Sequence, residues 1–224
     1  MKEIFPEKYS VLLTGPPGVG KQYFCIDLAN HYLKKGEKVV FLSTEASPED
    51  IEKRGSEIGA DLSAYSNNLY YVDCYSWSLR QAALPSTQKR NVIRVTSPES
   101  LNEIIVKVER IMGIFGGRIR LLAHSLSPLF LHNEDKEVIK FAQLLVSRIK
   151  EENSFILAAL QEGVHSPSTV NTLRYLLDGA VEMRFHEAEG LHRQIRAHHL
   201  KDLAIDTRWK SFTIDKAGFN IKEG

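Results

Sequence analysis

Residues 9–30 read YSVLLTGPPGVGKQYFCIDLAN, and the rest of the chain is interpreted around them. The apolar residues at the start of this stretch predict a buried strand over residues 10–14, which leads directly into the glycine-rich segment GPPGVGK. A helical pattern follows, with Phe24, Leu28 and Tyr32 at four-residue spacing. A strand, a glycine-rich turn and a helix N-terminus in this order are typical of a loop that binds phosphate, because backbone N–H groups converge there on one anion.

The glycine-rich turn therefore predicts a nucleotide site. Lys21 would supply a full positive charge for the outer phosphates. The motif normally continues with Ser or Thr, whose hydroxyl coordinates Mg²⁺, but this chain has Gln22. The longer amide side chain would have to fold back to reach an ion that demands tight octahedral geometry. We expect the nucleotide to contact the residues of this turn, namely Gly15, Pro16, Pro17, Gly18, Val19, Gly20, Lys21, Gln22 and Tyr23.

Composition restricts the class of protein and its partners. The length of 224 residues predicts a single domain over residues 1–224. The 29 basic and 28 acidic residues leave a net charge of +1, which does not favour nucleic acid or an anionic membrane as a partner. Cys25 and Cys74 lie in apolar contexts and are interpreted as reduced packing residues of a cytoplasmic protein. The sequence indicates neither a signal peptide nor a membrane span.

Short apolar runs alternate with helical patterns along the chain. The predicted strands cover residues 10–14, 38–43, 69–74, 119–123, 155–160, 181–185, 193–199, 210–214 and 219–221. Helices are predicted after Ser47, from Ser97, over residues 132–151 and over residues 170–177, whereas residues 75–95 are interpreted as a polar insertion without a clear period. This alternation predicts an α/β fold with a parallel sheet, to which the last strands add in antiparallel orientation.

Several segments together resemble the RecA superfamily, specifically its KaiC-like ATPase domains. They are the turn at residues 15–21, TEASPEDI at 44–51, VDCYSW at 72–77, LLAHSLSP at 121–128 and DTRW at 206–209. The resemblance covers nearly the whole chain. It implies a RecA-like three-layer α/β/α P-loop fold, ATP or ADP bound at subunit interfaces, and assembly as a homo-oligomer such as a hexamer, or as a hetero-oligomer with an active paralogue.

The chain departs from the family pattern at positions that carry chemistry. Where the resemblance implies the aspartate that organises Mg²⁺, the sequence has His124. Where similar proteins carry a Glu-Glu pair whose first member activates the attacking water, this chain keeps Glu45 but follows it with Ala46. The positions that send a Lys-x-Arg towards the neighbouring subunit's γ-phosphate hold His199 and Lys201, which makes these two the trans-acting candidates.

These departures predict weak or absent hydrolysis, because Gln22 and His124 remove both protein contributions to Mg²⁺. Nucleotide binding should survive, since the loop amides and Lys21 remain. We expect Gln22 and His124 to hydrogen-bond to each other and fill the place of the ion. Gln161 and Glu162 resemble the polar sensor that ends the fifth strand in RecA-like proteins. The start of an ordinary loop would explain these two residues equally well.

The function predicted from the sequence is that of a KaiC-like regulatory or nucleotide-sensing protein with impaired hydrolysis. One alternative is a slow Mg²⁺-dependent ATPase that uses Glu45 as its base. A second is a nucleotide-free scaffold for an active paralogue. A third is a DNA-binding recombination mediator, but the loops that RecA proteins use for DNA read SPLFLHNEDKE and QEGVHSPSTVN here, with one lysine and several acids.

Overall fold

The computed structural model describes residues 4–78, 89–187 and 190–222. Within these ranges, all strands join one sheet in the order β10-β9-β8-β7-β1-β6-β5-β2-β3-β4. The strands are β1 (Tyr9–Gly15), β2 (Val39–Ser43), β3 (Leu69–Asp73), β4 (Val92–Arg94), β5 (Arg120–Ala123), β6 (Phe155–Gln161), β7 (Gly179–Glu187), β8 (Leu191–Leu200), β9 (Lys210–Asp215) and β10 (Gly218–Ile221). The helices are α1 (Lys21–Lys34), α2 (Pro48–Glu57), α3 (Leu101–Phe115), α4 (Asp135–Glu151) and α5 (Pro167–Leu176).

The strands from β4 across to β7 run parallel, and β8, β9 and β10 continue the sheet in antiparallel order. Parallel strands need crossover connections, and the helical patterns between the apolar runs provide them. The predicted α/β fold with antiparallel strands at its C-terminal end is confirmed.

Two cores cover the two faces of the sheet. The central strand β1 is buried along its whole length, and its side chains alternate between the cores. Leu13 packs in the core formed with α1 and α2, whereas Leu12 packs in the core formed with α3, α4 and α5. A strand buried on both faces reads as a continuous apolar run, which is why this strand was recognisable from the sequence.

The parallel register brings chemically different residues to one edge of the sheet. Gly15 at the end of β1 pairs with Gln161 at the end of β6. Ala123 at the end of β5 pairs with Leu42 of β2, so the residues that follow these two strands emerge beside the glycine-rich turn. Because ligands of open parallel sheets bind outside the carboxyl ends of the strands, this edge is where a site is expected.

The interpretation of residues 75–95 as a polar insertion without a clear period missed one strand. A short 3₁₀ turn covers Ser76–Ser78, and Val92–Arg94 forms β4 at the edge of the sheet. Arg94 Nε lies 3.3 Å from the buried Asp73 Oδ2, so an ion pair supports a strand that is too short, at three residues, for pattern recognition. Residues 79–88 of this segment lie outside the described ranges.

Three helix starts also differ from the prediction, and the helix expected over residues 170–177 begins at Pro167. The helix expected from His132 begins at Asp135, after a 3₁₀ turn over Ser127–Leu131. The Glu137 carboxylate accepts a hydrogen bond from the Glu134 N–H at 3.1 Å, which satisfies an exposed donor at the helix N-terminus. The helix expected from Ser97 begins at Leu101. No helix in the described parts of the chain has both the length and the apolar character to cross a membrane.

Candidate nucleotide-binding site

The glycine-rich turn connects the end of β1 to the start of α1. Gly20 immediately precedes the helix with φ 114°, a left-handed conformation that residues with a side chain rarely adopt. Gly15 is required for space, because a Cβ there would lie 2.8 Å from the Met183 carbonyl oxygen of β7. The sequence therefore forms a tight turn that leads straight into a helix N-terminus, where unsatisfied N–H groups favour an anion.

The Lys21 side chain folds back over this turn. Its Nζ donates hydrogen bonds to the carbonyl oxygens of Gly15 at 2.7 Å and Pro16 at 2.9 Å, and to Gln161 Oε1 at 3.1 Å. Burial lowers the pKa of Lys21, and the nearby Glu45 carboxylate opposes that shift. The Lys21 ammonium group is therefore held beside the turn by the two carbonyl oxygens and by the side chain of Gln161 in β6.

A cavity of about 250 Å³ opens over the turn. The cavity is lined by most of the residues predicted for the site and by three residues that were not predicted. The predicted lining residues are Gly18, Gly20, Lys21, Gln22, Tyr23, Glu45, His124 and Gln161, and the additional ones are Arg54, Arg193 and Ile214. Of the other turn residues, Gly15 and Val19 are buried, Pro16 is half-buried, and Pro17 is exposed to solvent.

His124 is buried at the end of β5, with 2% of its surface exposed. Its Nδ1 lies 3.1 Å from the Leu42 carbonyl oxygen of β2. A carbonyl oxygen can only accept, so Nδ1 carries the proton and Nε2 of the neutral ring presents a lone pair. Burial lowers the pKa of His124 and outweighs the opposing effect of the Glu45 carboxylate. Nε2 has no hydrogen-bond partner among the described residues.

The predicted hydrogen bond between Gln22 and His124 is wrong. Gln22 Nε2 is buried and, like His124 Nε2, finds no partner in the part of the chain that the structure describes. The carbonyl oxygen of Leu42, in the buried strand β2, accepts the only N–H of the neutral imidazole, so the ring has no donor left for the Gln22 amide oxygen. Gln161 Nε2 is a third buried and unpartnered polar atom at this cavity. Buried polar atoms without a partner are rare in proteins, and three of them at one cavity are what contact with a polar ligand would explain.

Arg54 and Arg193 lie at the cavity although the sequence did not point to them. Arg54 of α2 is half-buried and lines the cavity. Arg193 reaches the cavity because β8 runs back antiparallel to β7. No local signal marks either residue, since their positions depend on how the helix and the strand are placed on the sheet.

Glu45 is exposed and borders two adjoining cavities. The second cavity, of about 450 Å³, lies between the loops that follow β5 and β6. Among its lining residues are the carboxylates Glu45 and Asp135 and the exposed apolar residues Leu131 and Val164, but neither lysine nor arginine. This surface is unsuited to a phosphate backbone.

His199 and Lys201 lie at the other end of the sheet from the turn. His199 pairs with Ala180 near the start of β7. The Lys201 carbonyl oxygen accepts a hydrogen bond from the Tyr9 hydroxyl at 2.9 Å, at the start of β1, whereas the turn follows the end of β1. Their expected action on a neighbouring subunit stays a prediction.

The residues present do not fit Mg²⁺, the ion that a P-loop nucleotide site implies. This ion prefers oxygen ligands in strict octahedral geometry. At the two positions expected to organise it, the chain offers the buried amide of Gln22 and the imidazole nitrogen of His124. No group of three or more His, Cys, Asp or Glu side chains suited to a metal occurs within residues 4–78, 89–187 and 190–222.

Comparisons with known proteins agree with the fold. The model of the family described as "ATPase: KaiC" matches residues 1–224. A UPF0273 protein of Methanopyrus kandleri is 25% identical over 228 residues, which cover 96% of this chain and 84% of that protein. A UPF0273 protein of Aeropyrum pernix is 28% identical over 128 residues, which cover 56% of this chain and 49% of that protein.

The crystal structure of a KaiC-like protein from Pyrococcus horikoshii OT3 superimposes with a TM-score of 0.78 over 98% of this chain and 91% of that one. At 16% identity this likeness shows the fold alone. The match of the family model over the full length, together with the P-loop at the carboxyl end of β1, shows that the chain belongs to the KaiC ATPase family, within the RecA superfamily.

Proposed function

We propose that this chain binds ATP or ADP through its P-loop and acts as a regulatory or nucleotide-sensing protein whose hydrolysis is impaired or absent. One observation carries the proposal. The turn, the helix N-terminus and Lys21 keep the arrangement that cradles phosphate, while Gln22 and His124 stand at the positions that would organise Mg²⁺.

Binding needs only groups that are present. The phosphates would accept hydrogen bonds from the N–H groups of the turn and from the first turn of α1. Lys21 would exchange its contacts with Gly15 and Pro16 for phosphate oxygens. The amide groups of Gln22 and Gln161, whose Nε2 atoms lack partners, could donate to the same oxygens. Arg54 and Arg193 add positive charge at the cavity.

Hydrolysis needs more than binding. In phosphoryl transfer the metal ion bridges the β- and γ-phosphate oxygens and neutralises the charge that develops. Loss of one preorganised electrostatic group commonly lowers a rate by about 10²–10³. Two losses at one ion lower it further, although the effects do not add.

Isothermal titration with ATP and with ADP, in EDTA and then in Mg²⁺, tests the binding. We expect binding in both conditions with similar affinity, and its loss in Lys21→Ala. Lys34→Ala is a matched control, because Lys34 is exposed at the opposite end of the same helix. A chain that binds no nucleotide in any condition would instead be the nucleotide-free scaffold.

A phosphate-release assay tests the impairment. The double variant Gln22→Thr, His124→Asp restores oxygen ligands at both positions, so we expect it to release phosphate from ATP faster than the unmodified chain. If the unmodified chain already turns over as fast as the double variant, hydrolysis is not impaired and this part of the proposal is wrong.

A slow ATPase is the second candidate, because the Glu45 carboxylate lies at the cavity and is open to solvent. Glu45→Gln should then abolish whatever turnover remains while leaving nucleotide affinity in EDTA unchanged. A DNA-binding mediator is disfavoured by the acidic and apolar surface beside Glu45.

Assembly and location belong to the proposal as well. A homo-oligomer, with a hexamer as one form, or a hetero-oligomer with an active paralogue would place His199 and Lys201 near another subunit's nucleotide. Analytical ultracentrifugation with and without ADP would show which assembly forms. The two free, buried cysteines are consistent with the proposed reducing, cytoplasmic environment.

A further inference from the structure

We propose that His124 and Glu45 form a nucleotide-dependent site for a divalent ion that accepts nitrogen ligands, such as Mn²⁺ or Co²⁺, in place of Mg²⁺. This inference rests on the proposed nucleotide binding, because the phosphates must supply the remaining ligands. The starting point is that the positions expected to organise Mg²⁺ fit that ion poorly yet leave a buried nitrogen without a partner.

The imidazole of His124 has the arrangement of a metal ligand. Histidines that bind metals almost always donate their other ring N–H to a carboxylate or a backbone carbonyl, which determines the tautomer and the ring orientation. Here Nδ1 donates to the Leu42 carbonyl oxygen at 3.1 Å, and the ring packs against Phe41 with 6.4 Å between centroids. This hydrogen bond leaves the lone pair on Nε2 of a residue that lines the cavity, and no described residue uses it.

Glu45 offers the second ligand. It follows β2 just as His124 follows β5, and these strands are neighbours in the sheet. Both side chains line the same cavity over the P-loop. A carboxylate and an imidazole together suit Mn²⁺, Co²⁺ or Zn²⁺, whereas Mg²⁺ is bound chiefly by oxygen ligands and water.

Two protein ligands do not hold a divalent ion tightly. Within the described ranges no third His, Cys, Asp or Glu completes a cluster. The missing ligands must come from outside the chain, and the oxygens of a polyphosphate on the adjacent turn are the groups that the cavity would bring close. The site is therefore expected to form with ADP or ATP and not without it.

Nucleotide titrations in different metals test the selectivity. ADP is titrated into the unmodified chain in EDTA, Mg²⁺, Mn²⁺ and Co²⁺. We expect affinity in Mn²⁺ and Co²⁺ to exceed that in Mg²⁺ by roughly tenfold or more, and His124→Ala to remove this difference. His132→Ala is the control, because His132 is exposed and contacts Trp77 instead of the P-loop cavity.

Pulsed EPR of Mn²⁺ with ADP gives a readout that does not depend on a variant folding. Protein grown with ¹⁵N-labelled histidine should show direct coupling between Mn²⁺ and ¹⁵N, and only when ADP is present. Equal affinity in all metals, or Mn²⁺ without nitrogen coupling, would overturn the inference while leaving the nucleotide site intact. Absence of ADP binding in every condition would instead overturn the proposed function.

Discussion

Gly20 illustrates at the residue scale how little freedom the P-loop has. Its φ of 114° is left-handed, and a Cβ would approach Ile214 Cδ1 to 2.6 Å. Ile214 can move, because the contact is at the end of a flexible side chain, but the backbone strain cannot be relieved so simply. The conformation of this one residue therefore limits both the turn and the helix that begins after it.

We predict that Gly20→Ala lowers the free energy of unfolding by about 1–3 kcal/mol and weakens ADP binding, because an L-residue strains this backbone. Chemical denaturation and titration with ADP measure the two effects. Gly113→Ala is the control: Gly113 lies inside α3 with nothing within 4 Å of the added Cβ, so the substitution should stabilise by about 0.5–1 kcal/mol. Equal effects of the two substitutions would contradict the assigned strain.

The two cysteines should be unreactive in the folded protein. Cys25 is fully buried, and burial raises the pKa of its thiol to about 12, so the reactive thiolate is scarce near neutral pH. Burial also raises the pKa of Cys74. We predict no rapid reaction with a disulfide reagent at pH 8 until denaturant is added, after which both thiols react. Fast labelling of the native chain would show that one of the two sites opens readily.

At the scale of elements, the hairpin of β9 and β10 covers the N-terminal half of α1. The rings of Phe212 and Phe219 stack with centroids 4.3 Å apart, and Phe219 meets the ring of Phe24 edge-on at 5.2 Å. Ile214 of the same hairpin lies over Gly20. The last strands thus hold the helix whose N-terminus faces the phosphate cavity.

Phe219→Ala should lower the free energy of unfolding by about 3–5 kcal/mol, because it empties a well-packed aromatic site. Because α1 loses its support, ADP affinity should fall as well. Denaturation monitored by circular dichroism and titration with ADP provide the measurements. Asn220→Ala, an exposed neighbour on β10, should change neither quantity appreciably. Unchanged ADP affinity in a folded Phe219→Ala variant would show that the hairpin does not support the site.

At the scale of the whole molecule, Asp178, which directly precedes β7, links that strand to β1 and α4. Its carboxylate accepts hydrogen bonds from the Ser10 N–H at 3.0 Å and hydroxyl at 2.7 Å on β1. Lys150 Nζ of α4 donates to both oxygens, at 2.7 and 2.8 Å. Burial by itself would raise the pKa of Asp178, but the hydrogen bonds from Lys150 and Ser10 outweigh it and leave the pKa lowered.

A lowered pKa in the folded state means that the folded chain binds fewer protons than the unfolded one. The stabilisation from Asp178 is therefore complete above the unfolded carboxyl pKa of about 3.9 and is lost as the pH falls through the folded pKa. We predict that Asp178→Asn destabilises by about 1–3 kcal/mol at pH 7, and that the difference shrinks towards acid pH. Denaturation at several pH values tests this, with the exposed Asp61→Asn as a control. A penalty independent of pH would contradict the assigned charge effect.

The sequence by itself determined the parts of this protein that depend on contiguous residues. The apolar run of β1, the glycines of the turn and the start of α1 are local features, because steric limits on glycine and helix N-terminal chemistry act over a few residues. Gln22 in place of Ser or Thr, and His124 in place of Asp, could be recognised for the same reason, because each stands at a fixed position in a local motif. The alternation of apolar runs and helices indicated a parallel sheet without indicating its strand order.

Only the tertiary structure decided which distant residues meet at the cavity. Arg54 and Arg193 reach it through the placement of α2 and the antiparallel return of β8, and neither leaves a local pattern. The hydrogen bond of His124 to Leu42 depends on the register between β5 and β2, and His124 Nε2 is left without a partner among the described residues. Register and packing are set by contacts between residues far apart in the chain, which is why pattern and spacing could predict a phosphate site but not its complete lining.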